Sequence, residues 1–239
     1  MSQTRQDAPP APVLAVDGPS GAGKGTITRL LARRLGWHLL DSGALYRVLA
    51  LAANRERVSL DDIDALAALA NKVRVRFVSD EAGGERIYLD GEIVTDEVRT
   101  ERAGDAASRI ARFQEVRDAL VDLQRSFARP PGVVADGRDM GTRIFTDATL
   151  KVFLTATAEE RARRRHKQLK EKGIDVSLAA LSRDIAERDA RDAQRAVAPL
   201  VPADDARVLD STDMSIPQVV DRIVDWLSER IEIPPVGQA

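Results

Sequence analysis

The chain of 239 residues is 44% apolar and 31% charged, carries a net charge of −2 at pH 7 and contains no cysteine. These values are ordinary for a soluble globular protein with one sizeable core, and they exclude disulfides and thiolate metal sites. The small net charge gives no support to binding of nucleic acid or a membrane surface, and no apolar run approaches the roughly 18 residues of a membrane span. We therefore expect a cytoplasmic protein that binds neither.

Both ends of the chain are predicted to lie outside the folded core. Residues 1–12, MSQTRQDAPPAP, lack the apolar stretch of a signal peptide, and we interpret them as a disordered N-terminal extension. Residues 232–239 are interpreted in the same way as a flexible tail.

The first predicted element is a buried strand, Val13–Val16, followed by the glycine-rich stretch GPSGAGKGT at residues 18–26. Apolar residues then recur at helical spacing. A strand, a glycine-rich turn and a helix are the context of the phosphate-binding motif G-x-x-x-x-G-K-[ST]. Backbone N–H groups and the helix N-terminus would attract phosphates there, and Lys24 could reach the outer ones. The alternative is a glycine-rich connector that binds no ligand.

The loop departs from this motif at Gly25, where a serine or threonine hydroxyl normally follows the lysine and binds Mg²⁺. Thr26 supplies a hydroxyl one residue later. The guanine-binding motif N-K-x-D is also missing, since residues 71–74 read NKVR. Both observations argue against a GTPase or a motor protein and favour a small-molecule kinase.

Further strands and helices alternate along the chain. Strands are predicted at HLL before Asp41, at VVADG (133–137), at LKVFLTA (150–156) and at ARVLDST (206–212), which precedes a helix at about 215–231. Such alternation predicts an α/β fold with a parallel sheet that is covered by helices on both faces. Ligands then bind at the carboxyl ends of the strands, where the DSG and DGRD segments and the glycine-rich loop would meet.

Two regions break the alternation. Residues 61–108 contain three short strand candidates with an Asp90-Gly91 hairpin signal, and we interpret them as an insert carrying a small antiparallel sheet. Residues 159–196 are predicted as two helices, with Gly173 ending the first and Ser177 capping the second. The core would then comprise residues 13–60, 109–158 and 197–231.

The segment DSGALYR places Ser42, Tyr46 and Arg47 on or near the first turn of a predicted helix. A hydroxyl, a phenol and a guanidinium beside a positive helix end suit an anionic ligand. The alternative is an N-cap followed by a surface arginine.

The segment ADGRDMGT follows a predicted strand. Asp136 is well placed to orient water on Mg²⁺, as a Walker-B acid does. Arg138 and Asp139 would project from the sheet edge, although such a pair is usually a surface salt bridge worth little. Gly137 and Gly141 indicate a close approach of the backbone to a ligand.

A third cluster is RDARDAQR at residues 188–195. The residues Arg188, Arg191, Asp192 and Arg195 share one helical face. The alternative is an exposed helix stabilised by i,i+4 ion pairs. Phosphoryl transfer, however, needs cations on the equatorial oxygens of the moving group, and Arg161 and Arg165 on the preceding helix could serve the same purpose.

The chain resembles the bacterial cytidylate kinases, a family of P-loop nucleoside monophosphate kinases, from about Val13 to Trp226. The stretches that carry the resemblance are DGPSGAGKGT, WHLLDSGALYRVLALAA, VADGRDMGT, RDARDAQRAVAPLVPADDA and VLDST. The resemblance implies a P-loop core, a monophosphate-binding domain enlarged by the insert 61–108 and a mobile lid at 159–196. It also implies phosphoryl transfer from ATP to CMP or dCMP, with UMP a poor acceptor.

The resemblance, together with the residue patterns described above, gives the following expected site residues. The ATP site comprises Gly18, Pro19, Ser20, Gly21, Ala22, Gly23, Lys24, Gly25, Thr26, Arg161 and Arg165. The monophosphate and sugar site comprises Ser42, Tyr46, Arg47, Arg138, Arg188, Asp192 and Arg195, and cytosine is read by Ser108, Arg117 and Asp139. The catalytic set is Lys24, Asp136, Arg188 and Arg195. No residue is expected to bind a metal directly, because Mg²⁺ would be held mainly through the nucleotide phosphates and water.

Two other interpretations remain open at the level of sequence. One is another small kinase of the same fold that acts on UMP or on a metabolite alcohol. The cytosine-reading residues are the feature that would distinguish a cytidylate kinase from it. The other is a nucleotide-binding regulatory protein with a degenerate active site. Loss of Lys24 or of the lid arginines would favour it, and all of these residues are present. We expect the protein to be a monomer whose partners are small-molecule nucleotides.

Overall fold

The computed structural model describes residues 11–79, 85–171, 173, 175–193 and 200–233. Its strands are β1 (Val13–Asp17), β2 (His38–Asp41), β3 (Val75–Ser79), β4 (Glu85–Leu89), β5 (Glu92–Ile93), β6 (Val133–Gly137), β7 (Leu150–Thr155) and β8 (Arg207–Asp210). The helices of the first half are α1 (Lys24–Leu35), α2 (Ser42–Arg55), α3 (Ile63–Ala70), α4 (Thr95–Val98) and α5 (Glu101–Ile110). Those of the second half are α6 (Gln114–Ala119), α7 (Val121–Arg125), α8 (Ala158–Glu171), α9 (Leu178–Ala193) and α10 (Ile216–Ser228), with a short π-helix at Met140–Ile144.

The main sheet is parallel and confirms the predicted α/β architecture. Its strand order is β2-β6-β1-β7-β8, so β1 lies at the centre between β6 and β7. The carboxyl ends of β1, β2 and β6 therefore meet at one edge, with Asp17 aligned to Gly137 and Asp41 to Asp136. The three acidic and glycine-rich segments predicted to converge do so here.

Both faces of this sheet are buried, as the continuous apolar runs of its strands require. Leu14 and Val16 of β1 pack in a cluster with residues of α1 and α10, whereas Val13 and Ala15 pack in a cluster with α2. The alternation of side chains along a strand sends neighbouring residues into opposite layers. Helix α10 is fixed at its start by a capping box, in which Ser215 and Gln218 exchange hydrogen bonds.

The insert carries the predicted antiparallel sheet, in the order β3-β4-β5. Asp90 (φ 50°) and Gly91 (φ 94°) connect β4 to β5, both with the positive φ that a tight hairpin turn requires. Helices α3, α4 and α5 were not predicted from the sequence. Helix α5 packs against α2 and runs to Ile110, two residues beyond the predicted boundary at residue 108.

The two helices predicted within residues 159–196 are present as α8 and α9, and the assignment of this region as a lid stays a prediction. Gly173 (φ 75°) follows α8, and the Ser177 hydroxyl accepts a hydrogen bond from the N–H of Ala180 at 3.1 Å at the start of α9. The two helices pack against each other. Crossing a membrane would need a longer and more apolar helix than any among the described residues.

Candidate active site

The loop of residues 18–26, hereafter the phosphate loop, lies between the end of β1 and the start of α1. At Gly18 (φ 149°) a Cβ would stand 2.0 Å from the carbonyl oxygen of Leu154, so no other residue fits. The buried Lys24 donates a hydrogen bond from Nζ to the carbonyl of Pro19 at 2.9 Å. Its ammonium group is therefore held at the helix N-terminus, where phosphates bind.

Arg161 of α8 packs against the phosphate loop. It is 6% exposed and donates to the carbonyls of Ser20 and Ala156, each at 3.0 Å. Its guanidinium also forms a two-pronged ion pair with Asp189 of α9, at 3.0 and 2.5 Å. A Cβ at Gly21 would stand 3.1 Å from the Arg161 Cβ. Arg161 thus joins the loop to both lid helices.

Arg164, one turn further along α8, makes a second connection. It donates to the carbonyl of Ala22 at 3.3 Å and to the hydroxyl of Ser211 at 3.1 Å. Ser211 follows β8, so the loop, the lid and the end of the sheet are joined at this point. Sequence reasoning chose Arg161 and Arg165 and missed Arg164, because steps of three and four residues fit one helical face equally well.

Asp136, at the end of β6, lies beside the phosphate loop. A Cβ at Gly25 would stand 3.5 Å from Oδ2 of Asp136, so a larger side chain at position 25 would point toward this carboxylate. Burial raises the pKa of Asp136 to about 7, and the nearby charge of Lys24 opposes that rise. The carboxylate therefore changes its charge close to neutral pH.

Asp17 is a second buried carboxylate at this edge. Oδ1 accepts a hydrogen bond from the N–H of Met140 and Oδ2 accepts one from the N–H of Gly141, both at 2.8 Å. Burial raises the pKa of Asp17 to about 6, although both of these hydrogen bonds lower it. Sequence reasoning assigned it no role, and the only available signal was its position between a buried strand and the phosphate loop.

Arg117 of α6 and Asp139 form a buried ion pair, with side chains 4% and 7% exposed. Arg117 also donates to the carbonyl of Ala111 at 3.0 Å, and its guanidinium carbon lies 5.9 Å from the centre of the Tyr46 ring. Its Nε–H is buried and has no hydrogen-bond partner among the described residues. The structure thus brings together two of the three predicted cytosine-reading residues, and it places the third, Ser108, half-buried on α5.

Arg47 of α2 reaches across to the insert. It donates to the carbonyl of Val98 at 2.9 Å, and a Cβ at Gly104 of α5 would stand 3.2 Å from its guanidinium. Burial lowers the pKa of Arg47, and the positive charges of Arg138 and Arg99 lower it further. The charges of Arg138 and Arg99 therefore both reach Arg47, and Arg99 was not identified from the sequence.

Arg165 of α8 adds a fourth positive charge to this cluster. It forms an ion pair with Glu101 at the start of α5, and both burial and the charge of Arg47 lower its pKa. The structure thus brings Arg165 toward Glu101 of the insert and toward Arg47. Its assignment to ATP binding stays a prediction.

Gly137, the last residue of β6, and Gly141 both lie against other side chains of the protein. A Cβ at Gly137 would stand 2.6 Å from Cγ of Met140 and 2.9 Å from the hydroxyl of the buried Ser42. A Cβ at Gly141 would stand 3.0 Å from Cδ of Lys151. Both glycines therefore make room for side chains of the protein itself, and a close approach of the backbone to a ligand at this point stays a prediction.

The last predicted residues cannot be placed in the site. Arg188 and Asp192 belong to α9, but their side chains lie outside the described part of the structure, as does the whole of Arg195. Their roles stay predictions.

The oxygen donors at this edge fit a magnesium ion. Asp136 supplies a carboxylate beside the phosphate loop, and Mg²⁺ prefers oxygen ligands while retaining several waters. The described residues contain no group of three histidine, aspartate or glutamate side chains that could enclose a metal. Binding of Mg²⁺ mainly through phosphates and water stays a prediction.

Comparisons with known proteins agree with this geometry. Residues 14–229 match the family model described as cytidylate kinase. The chain is 62% identical over 214 residues to the cytidylate kinase of Pseudomonas paraeruginosa, covering 89% of this chain and 93% of that one. It is 58% identical over 221 residues to that of Pseudomonas syringae pv. syringae, covering 92% and 96%. With the Marinomonas sp. enzyme the identity is 55% over 212 residues, covering 89% and 93%.

Proposed function

The chain belongs to the cytidylate kinase family, and on that premise we propose that it transfers a phosphoryl group from ATP to CMP and dCMP, with UMP a poor acceptor. The observation that carries the proposal is the buried Arg117–Asp139 pair, which lies at the same sheet edge as the phosphate loop and next in sequence to Arg138. This position would let the pair read the base of an acceptor nucleotide whose phosphate faces the donor bound at the phosphate loop.

The cationic cluster suits the acceptor phosphate. The positive charges of Arg138 and Arg99 add to burial in lowering the pKa of Arg47, and the charge of Arg47 does the same for Arg165. A phosphate dianion bound among them would offset this mutual repulsion through charge-assisted hydrogen bonds. The site is therefore electrostatically prepared for a monophosphate.

On the donor side, the phosphate loop and Lys24 bind the ATP phosphates. Lys24 would leave the carbonyl of Pro19 and follow the charge that develops on the moving phosphoryl group. The acceptor is already an anion, so no strong base is required, and catalysis consists of positioning two anions, neutralising them and excluding water. Arg188 and Arg195 of the lid would complete this neutralisation.

Magnesium bound to the ATP phosphates would supply further positive charge at the transferring group. Asp136 would orient the water that surrounds the ion, and it can do so as a carboxylate at and above neutral pH, given a pKa of about 7. Gly25 puts no side chain between the phosphate loop and the Asp136 carboxylate, from which a Cβ at this position would stand 3.5 Å.

Cytosine offers an amino group at N4 and an acceptor at N3, whereas uracil presents the opposite polarity at both positions. The carboxylate of Asp139 would accept from the amino group and repel the uracil carbonyl. The buried Nε–H of Arg117 would find in the base the acceptor that it lacks among the described residues. A site of this kind discriminates strongly, because the wrong base leaves buried polar groups unpaired.

The test is to identify the products of a mixture of ATP, CMP and the protein by chromatography. We expect ADP and CDP in equal amounts, and no CDP from Lys24→Ala, because that change removes a cation from the transferring group. CDP formation by Lys24→Ala at the wild-type rate would show that this loop is not the donor site. Nucleotide binding by the wild-type protein without any CDP would favour a regulatory protein instead.

A further inference from the structure

The proposed mechanism leaves one buried carboxylate of the site without a function. Asp17 is 6% exposed and lies at the end of β1, directly before the phosphate loop. Its two oxygens are each used by a single backbone N–H group, from Met140 and Gly141, at 2.8 Å. An ionised group this deeply buried is costly to keep unless its hydrogen bonds serve the structure or the reaction.

The two N–H groups belong to the residues that follow Arg138 and Asp139. Asp139 has φ −146° and ψ 26°, and its carbonyl accepts hydrogen bonds from Arg143 and Ile144 as the π-helix begins. Asp17 therefore holds the chain immediately after the base-reading carboxylate. The distance of the Asp139 carboxylate from a bound base depends on where this backbone is held.

We propose that Asp17 is a positioning residue for cytosine recognition: it fixes the segment Arg138–Gly141 to the start of the phosphate loop and so sets the place of the Asp139 carboxylate. The inference rests on the proposed function. Because β1 continues directly into the phosphate loop, the same carboxylate sets the distance between the donor loop and the base-reading pair.

Asp17 also faces charged groups on neighbouring elements. An electrostatic effect of Asp17 on Lys24 must therefore be distinguished from the positioning of Asp139. Lys24 of α1, Asp136 of β6 and Asp139 all act on it electrostatically, and the Lys151 side chain of β7 packs on Gly141 beside it. If Asp17 acted only on Lys24, its loss would affect the ATP side of the reaction and would lower turnover of CMP and UMP equally. Positioning of Asp139 instead predicts a change in the ratio between the two acceptors.

The test is Asp17→Asn, measured as kcat/KM for CMP and for UMP together with KM for ATP. The asparagine amide has one acceptor oxygen, so its NH₂ group would face one of the two backbone N–H donors and displace the segment. We expect the CMP/UMP ratio of kcat/KM to fall by about tenfold or more, with KM for ATP little changed. If the variant does not accumulate, Asp17→Ser keeps one acceptor, adds no amide donor and should lower the ratio in the same direction.

Leu227→Ala in α10 serves as the matched control, because Leu227 is fully buried in the opposite layer of the core and distant in sequence from the base-reading segment. It should lower the melting temperature and leave the CMP/UMP ratio unchanged. An unchanged ratio in both Asp17 variants, with the wild type active on CMP, would overturn the positioning role alone. A wild-type protein without CMP-dependent turnover would remove the proposed function and this inference with it.

Discussion

At the scale of single residues, the site is built from charges that are buried and paired. Arg117 and Asp139 are almost inaccessible to water, and a pair at this depth gains little net stability because both charges lost their hydration. Removing Asp139 would be costly, because it would leave the buried charge of Arg117 without its partner. Such a pair is therefore better explained by recognition than by stability.

The first prediction concerns Asp139→Ala. The change removes the acceptor for the cytosine amino group. The transition-state stabilisation that kcat/KM reports should therefore fall by about 2 kcal/mol or more for CMP and far less for UMP. Both values are measured on the same preparation by a coupled assay. Equal losses for the two acceptors would mean that Asp139 positions other groups and does not read the base.

The second prediction concerns the raised pKa of Asp136. A pKa of about 7 in the folded protein, against an ordinary value of 3.8 for an aspartate, means that the folded protein holds this proton more tightly than the unfolded chain does. The stabilising contribution is complete below pH 3.8 and is lost as the pH rises through about 7. Asp136→Asn has no such loss, so its stability relative to the wild type should increase between pH 5 and pH 8 by about 2–4 kcal/mol.

The measurement is the free energy of unfolding of both proteins in denaturant at several pH values. Asp210→Asn is a control whose pH dependence of stability should have the opposite sign. Hydrogen bonds from Thr212 hold the pKa of Asp210 below its usual range, so its stabilising contribution is lost as the pH falls. Parallel pH curves for the wild type and Asp136→Asn would show that burial does not raise the pKa of Asp136.

At the scale of elements, the strands and helices of the core could be predicted because their apolar patterns are long and regular. The strand before the phosphate loop, the strand that contains Asp136 and the hairpin at Asp90-Gly91 all lie where the sequence indicated. The π-helix at Met140–Ile144 could not be predicted, since five residues carry too little periodicity. Nor could the bonds of Asp17 to Met140 and Gly141, which join residues 123 and 124 positions apart.

Helix α8 shows the same limit within one element. Its sequence places arginines at positions that could face the phosphate loop, yet only tertiary contacts decide which do so. Arg161 contacts the loop and Asp189, whereas Arg165 pairs with Glu101 of the insert. A helical period assigns residues to a face but does not say what lies opposite that face.

The third prediction compares two lid arginines. Arg161→Met should lower the free energy of unfolding by about 1–3 kcal/mol, because it leaves Asp189 and two backbone carbonyls without their donor. Arg195→Ala should lower kcat by orders of magnitude and change stability by less than about 0.5 kcal/mol. Melting temperature and kcat are measured on both variants. Unchanged activity in Arg195→Ala would mean that the arginines predicted to share a helical face at residues 188–195 have only a structural role.

At the scale of the whole molecule, the insert and the lid meet on one side of the site through Glu101 and Arg165. Both side chains are partly exposed, so this contact contributes little stability and can break and reform as substrates enter and leave. Closure of the two regions over both nucleotides would exclude water from the transferring group. Without a bound acceptor the site should stay incomplete, and ATP should be hydrolysed only slowly.

The measurement that tests the central claim most directly is ATP consumption with CMP, dCMP, UMP or AMP as acceptor, each at the same concentration, and with none. We predict rapid turnover with CMP and dCMP, slow turnover with UMP, and turnover with AMP close to the rate without an acceptor. Equal rates with CMP and UMP would contradict cytosine reading by Arg117 and Asp139, and equal rates with and without CMP would contradict the kinase itself.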